Sequence, residues 1–144
     1  MDKGEIRELP HLYCFHMDDG RFVELGTLFA ADTLFAADGE WVAPHRTARG
    51  PQGIAGELLE SVPPSPNRMH YVTNSVIAVS GREAAAKSNY LVMVEGPDGP
   101  VPSVRGTYAD NLVRTPAGWR FRRREPIHAF KGEMRLTIPL PLPR

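Results

Sequence analysis

Residues 67–95, "NRMHYVTNSVIAVSGREAAAKSNYLVMVE", carry the pattern that decides the fold. Tyr71, Val72, Thr73, Val76, Ile77 and Val79 are strand formers, which predicts a strand over 69–79. "SGRE" (80–83) is a tight connection, and a second strand-like stretch follows over 84–95. Lys87 and Glu95 mark its outward side and leave Ser88, Tyr90, Val92 and Val94 inward. "GPDGP" and "TPAG" then connect two further stretches, 101–114 and 118–130. Short connections make consecutive strands antiparallel neighbours. On 104–112, Gly106, Tyr108, Asp110 and Leu112 share a face. In the first strand, residues i and i+4 point the same way, so His70 and Asn74 fall beside Val72 and Val76 on a side that reads as core.

Upstream of the meander the periodicity is helical. "EIRELPHLYCFHMDDG" (5–20) places Ile6, Leu9, Leu12, Tyr13 and Met17 at helix spacing, with Pro10 predicting a start or a kink. "RFVELGTLFAAD" (21–32) repeats the stripe with Phe22, Leu25, Leu28 and Phe29. "TLFAADGEWVAP" (33–44) reads as a β-hairpin turning at Asp38-Gly39. "GPQGIAGELLESV" (50–62) is a short helix with Ile54, Leu58 and Leu59 on its apolar side, and "PPSPN" breaks the chain after it. The order predicts an α+β domain with helices on one face of a curved antiparallel sheet. The concave face of such a sheet is where a small-molecule cavity forms. The expectation is one domain over 1–144, with 131–144 as an apolar, proline-rich tail that cannot pair as a central strand.

Composition excludes several function classes. Formal net charge is zero and the one basic run, "RFRRR" (120–124), is short, so no nucleic-acid partner is expected. No apolar run is long enough to span a bilayer, and the N-terminus has no signal-peptide pattern, which predicts a cytoplasmic protein with no membrane partner. The single cysteine, Cys14, allows no internal disulfide and no cysteine-rich metal site. There is no GxGxxG, no Walker loop and no HxxxH pair, so the expectation is no metal, flavin or nicotinamide cofactor.

Several short motifs occur in order along most of the chain. They are Tyr13 five residues before Asp18; "LFAAD" (28–32); Gly50 and Ile54 opening the third helix; "HYVTN" (70–74); "SNY" (88–90) after small residues; "GTYADNLVR" (106–114); and "GWRFRRR" (118–124). Together they resemble the SnoaL-like branch of the nuclear-transport-factor-2-like (NTF2-like) superfamily, and within it scytalone dehydratase and the bile acid 7α-dehydratases. The resemblance implies a cone-shaped α+β barrel, a strongly curved mixed or antiparallel sheet packed on three N-terminal helices. It also implies that Tyr13, Asp18 and His70 face one pocket as catalytic residues, with Asn74 deeper on the same strand as a substrate contact. For the last strand it favours Arg124 as the pocket-side arginine, whereas strand parity from Trp119 through Phe121 favours Arg123 unless a bulge intervenes.

The residue types fit acid/base chemistry. Loss of water from a β-hydroxy carbonyl compound needs a base for the proton beside the carbonyl, donors for the enolate oxygen, and an acid for the departing hydroxyl. Histidine shuttles protons near neutral pH. A carboxylate such as Asp18 fixes its tautomer and stabilises the imidazolium. Tyrosine hydroxyls donate to enolates, and Tyr13, Tyr90 and Tyr108 are available. Each residue also has a structural reading: His70 as a core histidine, Asp18 (or its competitor Asp19) as a helix-end turn residue, Asp110 as the ion-pair partner of an arginine.

The site departs from its relatives. Scytalone dehydratase has a second histidine on the next strand, and residues 84–96 here contain none; His11, His45 and His128 lie elsewhere. The extra strand aspartate of the bile acid enzymes has no counterpart at 88–95. The expected function is a cofactor-free lyase or isomerase, of dehydratase or cyclase type, acting on a hydrophobic carbonyl-bearing molecule of polyketide or steroid type. The alternatives are a non-catalytic binding or assembly module like a dioxygenase β-subunit, and an epoxide hydrolase built on Asp18, Arg124 and Asp110. The broad sheet face of such folds predicts a homodimer or homotrimer.

Overall fold

The computed structural model describes residues 2–31 and 36–131. The elements run α1 (Asp2–Asp18), α2 (Phe22–Gly26), β1 (Glu40–Ala43), β2 (Arg46–Arg49), α3 (Gly50–Ser61), β3 (Met69–Ser80), β4 (Glu83–Gly96), β5 (Gly99–Thr115) and β6 (Gly118–Lys131). Six strands form one sheet in the order β2-β1-β6-β5-β4-β3, antiparallel throughout except for the parallel pair β1/β6. This is the α+β architecture expected, with the long meander β3–β6 as its body. Among the described residues no helix is long and apolar enough to cross a membrane.

Helix α1 runs through Pro10 rather than starting there. A proline inside a helix costs about 3 kcal/mol. Pro10 sits on the buried face with Ile6, Leu9, Tyr13, Cys14 and Met17, and each large apolar side chain buried there stabilises by about 1.5–3 kcal/mol. The sum favours the continuous helix.

Between Asp38 and Gly50 the structure corrects the sequence reading. The hairpin joins β1 to β2 and turns at Pro44-His45, not at Asp38-Gly39. Residues 33–35 of the expected hairpin lie outside the described residues, as do 132–144 of the expected tail. Gly39 serves close approach. A Cβ there would lie 2.5 Å from the Phe121 carbonyl oxygen and 2.9 Å from the Ala30 nitrogen. The Gly39 N–H donates to Ala30 O at 2.7 Å, while Ala30 N and Leu28 O bond the two sides of Phe121 at 2.9 and 2.8 Å. Residues 28–30 are thereby stitched to β6 instead of extending α2, which spans only Phe22–Gly26.

Alternation places the core. On β4, Ala84, Ala86, Ser88, Tyr90 and Val92 are buried, and on β5 Gly106, Tyr108, Asp110 and Leu112, as the pattern predicts. On β3 and β6 the alternation is interrupted. Val72 pairs with Tyr90 but Ser75 with Ser88, so Thr73 and Asn74 together oppose Asn89 in a β-bulge. Leu112 pairs with Phe121 but Asn111 with Arg123, so Arg122 is an extra residue. Each bulge exchanges the inward and outward sets beyond it.

Candidate active site

Asp18 is the last residue of α1, and His70 is the second residue of β3. The Asp18 carboxylate takes the His70 backbone N–H at 2.8 Å on one oxygen and meets the ring Nδ1 at 2.5 Å on the other. An ionised carboxylate only accepts, so Nδ1 carries the proton and Nε2 keeps a lone pair. His70 stands opposite Val92, a buried position on the inward side of β4. Asp19, its sequence competitor, is exposed. Arg68 completes this corner. Its guanidinium donates to Met17 O and Pro63 O, both at 3.0 Å, and its Nε lies 3.9 Å from the Asp18 carboxylate. Arg68 was not singled out in the sequence; an arginine two residues before the histidine gives no periodic signal.

A second charged pair lies deeper. The bulge at Arg122 turns Arg124 inward and Arg123 outward, where it pairs with Glu125 at 2.7 Å. The Arg124 guanidinium lies over the rings of Tyr108, Tyr13 and Phe121, at 3.7, 4.2 and 4.5 Å from their centroids. Its Nε is 3.6 Å from Asp110, and both side chains are fully buried. At 3.6 Å the contact is one of charge rather than a hydrogen bond. Among the described residues, neither Asp110 oxygen and none of the three Arg124 nitrogens has a hydrogen-bond partner. Buried polar groups are normally satisfied, so these atoms suit ordered water or a ligand's polar atoms. Burial, opposed by Arg124, pushes the Asp110 carboxyl up to about 6.

The three tyrosines all face inward. The Tyr13 hydroxyl accepts the Trp41 indole N–H at 3.1 Å. Burial, opposed by Arg124, pushes that phenol up to about 12. Tyr108 is edge-on to Tyr13 at 5.7 Å, stacks on Tyr90 at 4.1 Å, and is held far above its ordinary value, chiefly by burial. The Tyr90 hydroxyl lies 2.5 Å from Nδ1 of His128. His128 therefore reaches the inner face, whereas the sequence reading set it apart from the site.

Asn74 does not join this group. The bulge turns it to the opposite face of the sheet, where it is exposed and its Oδ1 accepts from Asn89 at 3.1 Å and from Thr73 at 2.9 Å. The epoxide-hydrolase arrangement is also unsupported, because both Asp18 oxygens are engaged by His70 rather than grouped with Arg124 and Asp110. Among the described residues no three His, Cys, Asp or Glu side chains converge as a metal site requires. Two surface grooves, of about 620 and 660 Å³, involve neither Asp18 nor His70.

A curved six-stranded sheet, helices on its inner side and an aspartate–histidine pair at the end of α1 define a cone-type α+β domain. The model of the SnoaL-like domain matches residues 1–125, and the chain belongs to that family, within the NTF2-like superfamily. Its fold is similar to an NTF2-like protein with a cystatin-like fold from Novosphingobium aromaticivorans. The two are 26% identical with a TM-score of 0.75, over 89% of this chain and 82% of that one. A candidate scytalone dehydratase from the same organism shares the fold at 22% identity and TM-score 0.72, over 99% and 93% of the two chains. The hexachlorocyclohexane dehydrochlorinase LinA-type3 from Novosphingobium barchaimii shares it at 20% identity and TM-score 0.74, over 98% and 94%. Among curated proteins, none matches this sequence.

Proposed function

We propose that the protein is a cofactor-independent lyase or isomerase, of dehydratase or cyclase type, acting on a hydrophobic carbonyl-bearing small molecule of polyketide or steroid type. The observation that carries this reading is the Asp18 carboxylate holding both the backbone and the ring of His70. Nε2 of His70 takes the proton beside the substrate carbonyl, and Asp18 stabilises the imidazolium that forms. Tyr13 and the unpartnered N–H groups of Arg124 face the developing enolate oxygen; one such donor typically contributes about 3–4 kcal/mol. The imidazolium then returns the proton to the departing hydroxyl, releasing water, or to another carbon, moving the double bond. Neither route is a net oxidation or reduction.

The reading includes a homodimer or homotrimer. Tyr71, Val76 and Ile127 are 44%, 74% and 48% exposed on the outer side of the sheet, a face that a second copy would cover. His70→Ala and Asp18→Asn test the chemistry against a panel of flat β-hydroxy ketones. Turnover is expected to fall about 10²–10⁴-fold in His70→Ala with the circular dichroism spectrum retained. Unchanged turnover in a folded His70→Ala protein would refute the reading and favour a binding or assembly module.

A further inference from the structure

Tyr13, Tyr90 and Tyr108 all face inward, but their surroundings differ. Tyr90 on β4, Gly106 on β5 and His128 on β6 form one cross-strand row. Gly106 makes the row possible. A Cβ at that position would lie 2.9 Å from the Tyr90 hydroxyl and 2.1 Å from Ile127 O. With no side chain in the middle, the Tyr90 phenol crosses β5 and meets Nδ1 of His128 at 2.5 Å. Stacking on Tyr108, 4.1 Å away and 13° from parallel, fixes the plane of the ring.

We propose that His128 takes the Tyr90 hydroxyl proton into a hydrogen bond and so makes Tyr90 an acceptor toward the ligand, selecting substrates that carry a hydroxyl group at that end of the site. A phenol has one proton. Once it is directed at Nδ1 of His128, the oxygen offers only lone pairs, and His128 carries its own proton on Nε2. Burial holds Tyr90 in its protonated form, which supports the phenol as the donor of the pair. Tyr13 has the opposite polarity: it accepts from the Trp41 indole and keeps its proton for a ligand. The site therefore presents a donor at the Tyr13–Arg124 end and an acceptor at Tyr90. A molecule with a carbonyl at one end and a hydroxyl at the other matches both. A simple ketone leaves Tyr90 unmatched. This rests on the proposed function and narrows it to hydroxy ketones, and hence to dehydration over the shift of a double bond in a plain enone.

The tautomer is readable without any ligand. Long-range proton–nitrogen NMR of the labelled protein is expected to show His128 protonated on Nε2, and Tyr90→Phe is expected to remove that preference. His128 protonated on Nδ1 would overturn the proposal. Binding is then compared for 4-hydroxy-1-tetralone and 1-tetralone, two probes with the same ring skeleton. The native protein is expected to prefer the hydroxy ketone roughly five- to tenfold, and Tyr90→Phe to lose that preference while holding 1-tetralone unchanged. His128→Phe leaves the phenol in place but frees its proton, and is expected to move the preference to tetralin-1,4-dione. Equal weakening of all probes in Tyr90→Phe would mean that Tyr90 only packs, and would also overturn the proposal. The two readings fail separately. A retained hydroxyl preference with a silent Asp18–His70 pair breaks only the catalytic reading; an active pair with no hydroxyl preference breaks only this one.

Discussion

Among the described residues, two carboxylate–cation pairs on the inner side of one sheet are built in opposite ways. Asp18 and His70 are joined by two hydrogen bonds and partly reached by solvent, with side chains 14% and 11% exposed. Asp110 and Arg124 are wholly buried, 3.6 Å apart, and share no hydrogen bond. The first pair is fixed by its own bonds, so its geometry survives changes in packing. The second is fixed by three aromatic rings and mutual charge, so its polar atoms stay available. A proton-transfer group needs the first kind of support and a group that receives a ligand needs the second.

The contrast breaks most directly at Asp110. Asp110→Ala empties a fully buried polar position beside Arg124, and urea unfolding is expected to show a loss of about 1–3 kcal/mol. Asp18→Asn removes a partly exposed charge and is expected to affect stability far less while abolishing turnover. Equal stability losses in the two variants would erase the distinction. Lowering pH sharpens it. The Asp110 carboxyl is raised from its ordinary 3.8 to about 6, chiefly by burial, so the folded protein binds this proton more tightly than the unfolded chain. Its ionisation therefore opposes folding above about pH 6, and that penalty fades as pH falls from 6 toward 4. Relative to Asp110→Asn, the native protein should gain stability across that window; a difference that stays flat with pH would contradict the assignment. The smallest effect is expected at Asn74. Asn74→Ala alters only the outer face, so stability should change by about 0.5 kcal/mol or less and ligand affinity not at all. A clear loss of ligand affinity would return Asn74 to the site.

The positions of α1, α3 and the four long strands were legible because amphipathic spacing and turn residues repeat over many residues. The Asp18–His70 contact was legible only through the resemblance, since 52 positions separate the partners and no local pattern links them. What failed to read out depends on bulges. Counting by twos from His70 carried Asn74 inward, and counting from Trp119 carried Arg123 inward. One inserted residue at Asn74 and one at Arg122 reverse both. A bulge is a relation between two strands, so one strand's sequence does not declare it. One signal was present: a glycine at 106 inside a strand run marks the close approach of another group, here the Tyr90 hydroxyl. The hairpin misread at Asp38-Gly39 has the same origin, a glycine required by a crossing backbone and read as a turn.

Asp18 also closes a helix of 17 residues. The aligned peptide dipoles of α1 place partial negative charge at that end, where a cation is stabilised by about 0.3–1 kcal/mol. Arg68 supplies that cation, its guanidinium donating to Met17 O at 3.0 Å. One arginine thus complements the helix terminus and moors the end of α1 to the approach to β3, which fixes where Asp18 meets His70.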